Sequence, residues 1–206
     1  MKAALFDLDG VVFNTEPQYT VFWSEIFKEY FNDAMIAQKI KGSTLVQIYD
    51  HYFAGDKKTQ DEITQRLDDF EQHMHFDYIK GFPEYVTGLR QKGVKTAVVT
   101  SSNKAKMAAV YAKCPEMKQY FDAILTSEDF AESKPSPDCY LRGAARFGYE
   151  AKDCTVFEDS FNGLKAGRAS GAYVIGLATT NSADDIRQYC DKVISDYTEL
   201  RQKTIG

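Results

Sequence analysis

β-prone residues fall in short runs along the chain, each stopped by a polar residue. Ala3–Phe6 stops at Asp7, residues 94–99 stop at Thr100, and Ala123–Leu125 stops at Thr126. Residues 154–157 stop at Glu158-Asp159, residues 172–177 at Ala178-Thr179-Thr180, and Lys192–Ile194 at Ser195. Such runs carry little apolar/polar alternation, which is the pattern of strands buried on both faces. Between them lie stretches with apolar residues at helical spacing: 83–92, 103–113, 137–147 and 161–169, with Ser102 and Ser160 placed as N-caps for the second and fourth. Strands alternating with helices predict an α/β fold, a parallel sheet covered on both faces.

One region breaks the rhythm. From Thr15 to about Ile79 there is no strand pattern. Residues 17–30 place Tyr19, Phe22, Trp23, Ile26, Phe27 and Tyr30 at helical spacing, and 44–53 and 57–76 also read as helices. An all-helical insertion after the first strand follows, returning to the sheet at Gly81-Phe82-Pro83. The domain expectation is a Rossmann-like core made of residues 1–14 and 80–206, with a small helical cap at 15–79. Most of the aromatic stripe is expected to pack the cap itself, with Tyr19 and Trp23 as the exceptions.

The polar residues that stop the strands carry the chemistry. In an open parallel sheet the carboxyl ends of the strands line one edge, where ligands bind. Asp7 and Asp9 are two apart, so on an extended chain they face the same side, and Gly10 permits a sharp turn. One carboxylate can serve as nucleophile on phosphorus, and the other can protonate the leaving oxygen and then activate water. Asp7 with Asp159 would supply the one or two carboxylates that Mg²⁺ commonly takes. Thr100 offers a hydroxyl, and Ser101 and Ser102 offer backbone N–H groups at a helix start, for phosphoryl oxygens. Lys134, in the Pro-stiffened segment Ser133-Lys134-Pro135-Ser136-Pro137, can neutralise that charge.

Composition narrows the classes. The chain has 206 residues, 44% hydrophobic, and a net charge of -5 with no Lys/Arg block, so a sizeable core is available and nucleic acid is not an expected partner. No apolar stretch approaches a membrane span, and Asp7 and Asp9 interrupt the N-terminal apolar run, so no signal peptide and no membrane association are expected. Cys114, Cys139, Cys154 and Cys190 form no Cys-x-x-Cys pair and read as free thiols of a cytoplasmic protein. His73 and His75, two apart, do not share a helix face and are not a metal pair. The oligomeric expectation is a monomer or weak dimer.

In order and spacing, Asp7-Leu8-Asp9-Gly10-Val11, Val98-Val99-Thr100-Ser101-Ser102, Ser133-Lys134-Pro135-Ser136-Pro137-Asp138 and Phe157-Glu158-Asp159-Ser160-Phe161-Asn162-Gly163 resemble the four motifs of the haloacid dehalogenase-like superfamily. The subgroup resembled is the one holding β-phosphoglucomutase and small sugar-phosphate phosphatases. The resemblance implies Asp7 as nucleophile, Asp9 as acid/base, and Thr100 and Lys134 on the phosphoryl group. It also implies Mg²⁺ held by Asp7, the backbone carbonyl of Asp9 and Asp159, with Glu158 as an additional candidate. Dehalogenases of the superfamily lack the second aspartate, so Asp9 favours phosphoryl transfer. In the cap, Tyr19 stands where the mutase has a histidine. In the loop Lys41-Gly42-Ser43-Thr44-Leu45, Leu45 stands where the mutase has an arginine, and Lys41 could substitute only as a point charge. The expectation is a Mg²⁺-dependent phosphatase of a small phosphorylated metabolite. A phosphomutase is the alternative, and a non-catalytic receiver-like phosphate sensor a third reading, disfavoured because receivers order the acidic pair and the nucleophile the other way round.

Overall fold

The computed structural model describes residues 1–200. Six strands form one sheet: β1 (Ala3–Phe6), β2 (Lys95–Val99), β3 (Ala123–Leu125), β4 (Cys154–Glu158), β5 (Tyr173–Leu177) and β6 (Lys192–Ile194). All neighbours are parallel, in the order β3-β2-β1-β4-β5-β6. β1 is central, with Phe6 opposite Val98 on one side and Phe157 on the other.

β1 is fully buried on both faces, as its apolar sequence requires. Ala4 and Phe6 join one core cluster, which holds Phe82 and Val86 of α5 (Phe82–Gln91) and Met107 and Val110 of α6 (Lys104–Lys113). Ala3 and Leu5 point the other way, to Tyr140 and Ala144 of α7 (Asp138–Ala145), Leu164 and Ala166 of α8 (Phe161–Ser170), and Ile186 of α9 (Ala183–Ile186). Phe6 stacks on Phe157 at a centroid distance of 4.5 Å and meets Phe82 edge-on at 5.5 Å, so the first cluster is built on aromatic contacts.

Of the five helices between β1 and β2, the first four come before the return at Gly81: α1 (Glu16–Phe31), α2 (Ile36–Lys39), α3 (Leu45–Tyr52) and α4 (Lys57–His73). They share a separate apolar cluster of Phe22, Trp23, Ile26, Phe27, Ile48 and Ile63, among others. Tyr19 packs against this cluster and the main core. α3 opens on a reciprocal cap: Gln47 N–H donates to Thr44 Oγ1, and Thr44 N–H donates to Gln47 Oε1.

Two local expectations need correction. α6 is capped by Asn103, whose side chain accepts from Lys106 N–H, rather than by Ser102. The helix expected to reach residue 76 ends at His73. Beyond it Met74 and Phe76 turn into the main core, and the next residues run beside the segment leaving β1. There Asn14 N–H donates to Asp77 O at 2.8 Å, and Ile79 N–H to Val12 O at 2.9 Å. α2 and α9, each four residues long, carry too few positions to show a period.

Candidate active site

The carboxyl ends of β1, β2 and β4 converge on a cavity of about 440 Å³. After β1 the chain turns at once, because Val12 and Phe13 N–H both donate to Leu8 O, at 2.8 and 3.0 Å. Gly10 sits at φ +70°, and a Cβ there would run into the Asp159 carboxylate and Thr180 Oγ1. Glycine is therefore required both for the turn and for the close approach of the β4 end. The turn puts Asp7 and Asp9 on the cavity wall together.

Lys134 Nζ lies 2.6 Å from Asp7 Oδ1 and 2.6 Å from Glu158 Oε1, and donates to Val99 O at 3.3 Å. It therefore ties the ends of β1, β2 and β4 together. Glu158 is fully buried and commits both oxygens to protein donors. Oε1 accepts from Lys134 and, at 2.6 Å, from Tyr140 OH; Oε2 accepts from the Asp159 and Ser160 backbone N–H groups and from Ser160 Oγ. A Cβ at Gly163 would occupy the space of that carboxylate. Asp159 accepts a short hydrogen bond from Thr180, while Thr179 Oγ1 donates to Gly10 O at 2.6 Å. Thr100 is buried and accepts from Ser102 N–H at 3.0 Å.

Asp7, Glu158 and Asp159 bring carboxylate oxygens within 4.8 Å of one another, and this is the one such acidic, His or Cys cluster among the described residues. Three carboxylates face one ammonium. Burial pushes the Asp7 carboxyl up to about 7, with Lys134 opposing and Glu158 and Asp9 adding to the rise. Burial also pushes Asp159 well above the ordinary carboxylate range, reinforced by Glu158. These groups are short of positive charge, and oxygen donors in this arrangement fit a hard divalent cation.

Asp9 is held differently. Thr15 Oγ1 donates to Oδ1 at 2.6 Å, Ser102 Oγ to Oδ2 at 3.2 Å, and Lys106 Nζ lies 2.5 Å from Oδ2. Burial alone would raise its pKa, but the Lys106 ammonium and these hydrogen bonds hold it below the ordinary value.

Of the residues singled out from sequence, Asp7, Asp9, Thr100, Ser101, Ser102, Lys134, Asp159, Lys41 and Tyr19 all line the cavity, and Glu158 lies directly behind it. The loop at 41–45 lies against the sheet edge, where Asn162 Nδ2 donates to Gly42 O at 3.1 Å and Gln47 Nε2 to Lys134 O at 3.5 Å. His73 Nδ1 instead lies 2.7 Å from the Asp69 carbonyl, and His75 belongs to no ligand cluster. The four cysteines are unpaired. No helix among the described residues is long and apolar enough to cross a membrane. Sequence reasoning missed Thr15, Lys106 and Thr180.

The fold and strand-end chemistry have counterparts among known proteins. The profile described as haloacid dehalogenase-like hydrolase matches residues 4–177, and the chain belongs to that family. Over its whole length it is 27% identical to the validoxylamine A 7'-phosphate phosphatase of Streptomyces hygroscopicus subsp. limoneus, covering 98% of that protein. It is 29% identical to the fructose-1-phosphate phosphatase of Escherichia coli (strain K12), over 81% of this chain and 91% of that one. A crystal structure of a family IA, variant 3 hydrolase from Entamoeba histolytica superposes with a TM-score of 0.83 at 23% identity, covering 97% of this chain and 95% of the other. That last likeness concerns the fold alone.

Proposed function

We propose that the chain is a Mg²⁺-dependent phosphatase that hydrolyses a small phosphorylated metabolite through a phosphorylated Asp7. The observation that carries this reading is the pairing of two unlike carboxylates in one cavity. Asp7 lies beside Lys134, Glu158 and Asp159, while Asp9 is fixed by Thr15, Ser102 and Lys106. Two relatives named as phosphatases support it, one matching the whole of this chain and the other 81% of it.

In the proposed reaction an Asp7 carboxylate oxygen attacks phosphorus, and the bond from phosphorus to the ester oxygen breaks. Asp9 is ionised in the free site, so the proton it gives to the departing alcohol oxygen is one taken from the incoming phosphate monoester monoanion. Asp9, now ionised, takes a proton from water, which attacks the phosphoryl group and releases inorganic phosphate, restoring Asp7. Lys134, Thr100 and the N–H groups of residues 101 and 102 would hold the phosphoryl oxygens. Asp7 and Asp159 side chains and the Asp9 carbonyl would hold Mg²⁺, with Glu158 orienting its neighbours from behind. The ion supplies charge neutralisation at the phosphoryl oxygens. Residues 15–79 would act as a cap that excludes water, with hinges near Asn14-Thr15 and Phe82-Pro83.

The electrostatics of the metal-free protein lead to a stability prediction. Asp7, raised to about 7 from an ordinary 3.8, binds its proton more tightly folded than unfolded. Its ionisation therefore destabilises the fold progressively as pH rises from about 4 through 7. Asp159 acts in the same direction. A divalent cation relieves both, so Mg²⁺ is expected to raise the melting temperature more at pH 8 than at pH 5. Equal shifts at the two pH values would count against these ligands.

The phosphomutase alternative requires a clamp for a second phosphate. Among the described residues no arginine lines the cavity, Leu45 occupies the loop position, and Glu16, Asp68 and Glu71 sit on the inserted-helix wall. That wall disfavours a second dianion. With β-glucose 1-phosphate and a trace of the bisphosphate, the expected product is inorganic phosphate; accumulation of glucose 6-phosphate would establish the mutase instead.

A further inference from the structure

The cavity wall opposite the strand ends is built by α1 and α4, which carry Glu16 and Glu71 toward a site already rich in carboxylates. The ammonium of Lys106 meets this charge at the junction. The side chain of Lys106 is 3% exposed, and its Nζ lies 2.5 Å from Asp9 Oδ2. The same Nζ lies 4.7 Å from the centroid of the Tyr19 ring, and Tyr19 OH donates to Glu71 Oε1 at 2.7 Å. A single side chain rooted on α6 thus touches the turn after β1, stacks its charge on α1, and reaches α4 through one phenol.

We propose that Lys106 is a positioning residue whose ammonium is the shared countercharge that seats α1 and α4 over the site and fixes the carboxylate of Asp9. Burying carboxylates is favourable only when they are paired. Burial raises the pKa of Glu71, and raises Glu16 to about 7; Lys106 opposes the rise in both. Lys41 also opposes the rise at Glu16. Removing the Lys106 charge leaves Asp9, Glu16 and Glu71 facing one another across the junction between the inserted helices and the sheet.

The test uses charge compensation and the chain's only tryptophan, Trp23, which lies on α1, is 7% exposed and lines the cavity. Lys106→Met keeps a long side chain that can lie on the Tyr19 ring but carries no charge. Glu71→Gln keeps an acceptor for Tyr19 OH while removing the opposing charge. Lys106→Met is expected to lower kcat for a phosphate ester by roughly tenfold to a hundredfold, with a smaller change in KM, and to raise acrylamide quenching of Trp23. Lys106→Arg is expected to retain most of both properties. Lys106→Met combined with Glu71→Gln is expected to regain at least about fivefold in kcat and to return the quenching toward the wild-type value. A purely space-filling role predicts no such recovery.

Unchanged Trp23 quenching in Lys106→Met, or a double variant no better than the single, would overturn the proposal. If Lys106→Met fails to fold, the double variant decides, since it is expected to fold and its failure would count against the idea. The kinetic arm rests on the hydrolase reading. If the wild-type chain cleaves no phosphate ester, that reading fails while the quenching series still judges Lys106.

Discussion

Asp7→Asn is expected to lower turnover of any phosphate ester by roughly 10⁴-fold or more while leaving the protein folded. An amide oxygen is a poor nucleophile, and removing the nucleophile of a covalent mechanism removes the whole pathway. The stability arm separates this from a structural lesion. Burial holds the Asp7 carboxyl at about 7, so its charge is a burden on the metal-free fold above that pH. Asn is nearly the same size and uncharged, and Lys134 keeps Glu158 at 2.6 Å. At pH 8 without Mg²⁺ the variant is therefore expected to melt at the wild-type temperature or above it. Substantial residual turnover would remove Asp7 from the nucleophile's role, and a collapsed fold would show that its role is architectural.

Lys134→Met is expected to have the largest combined effect on stability and activity. Its ammonium is buried between Asp7 and Glu158 and joins three strand ends. Deleting one member of a buried ion pair leaves its partners uncompensated, at a typical cost of about 3–5 kcal/mol. Loss of the cation beside the phosphoryl position is expected to lower kcat by roughly 10²- to 10³-fold. The sign with pH follows from the partners. Near pH 5 the buried Asp7 carboxyl can take up a proton, so the deficit in melting temperature is expected to be smaller there than at pH 8. Thermal unfolding at the two pH values with and without Mg²⁺ checks this, and a deficit independent of both would contradict the electrostatic account.

The sheet was legible because a parallel sheet covered on both faces writes itself as short apolar runs. The expected strand at 94–99 begins one residue later, at Lys95, and the one at 172–177 begins at Tyr173. The site was legible for a related reason, since the runs of β1, β2 and β4 end on residues that reach the cavity. What stayed hidden depends on contacts between distant segments. The helix ending at His73 is stopped by Met74 and Phe76 entering the main core and by pairing of 77–79 with 12–14, which no local period reports. Glu158 reads from sequence as a candidate metal ligand, whereas its two oxygens are already engaged by Lys134, Tyr140 and three groups of its own turn. Lys106 carries no motif. The available signal was its place in the first turn of the helix that follows the Thr100 loop, a turn that starts at the cavity edge. Thr180 followed the same rule as Thr100, a hydroxyl just beyond a strand end, and could have been found by applying it to β5.

The central claim is covalent transfer of a phosphoryl group to Asp7. Its most direct test is rapid acid quench of the wild-type chain during turnover of a phosphate ester with Mg²⁺, followed by mass spectrometry of the N-terminal peptides. The account predicts one phosphoryl group on Asp7 that forms and decays at rates compatible with kcat and is absent from Asp7→Asn. Sustained turnover with no phosphoryl group on Asp7, or with the group on another residue, would contradict it.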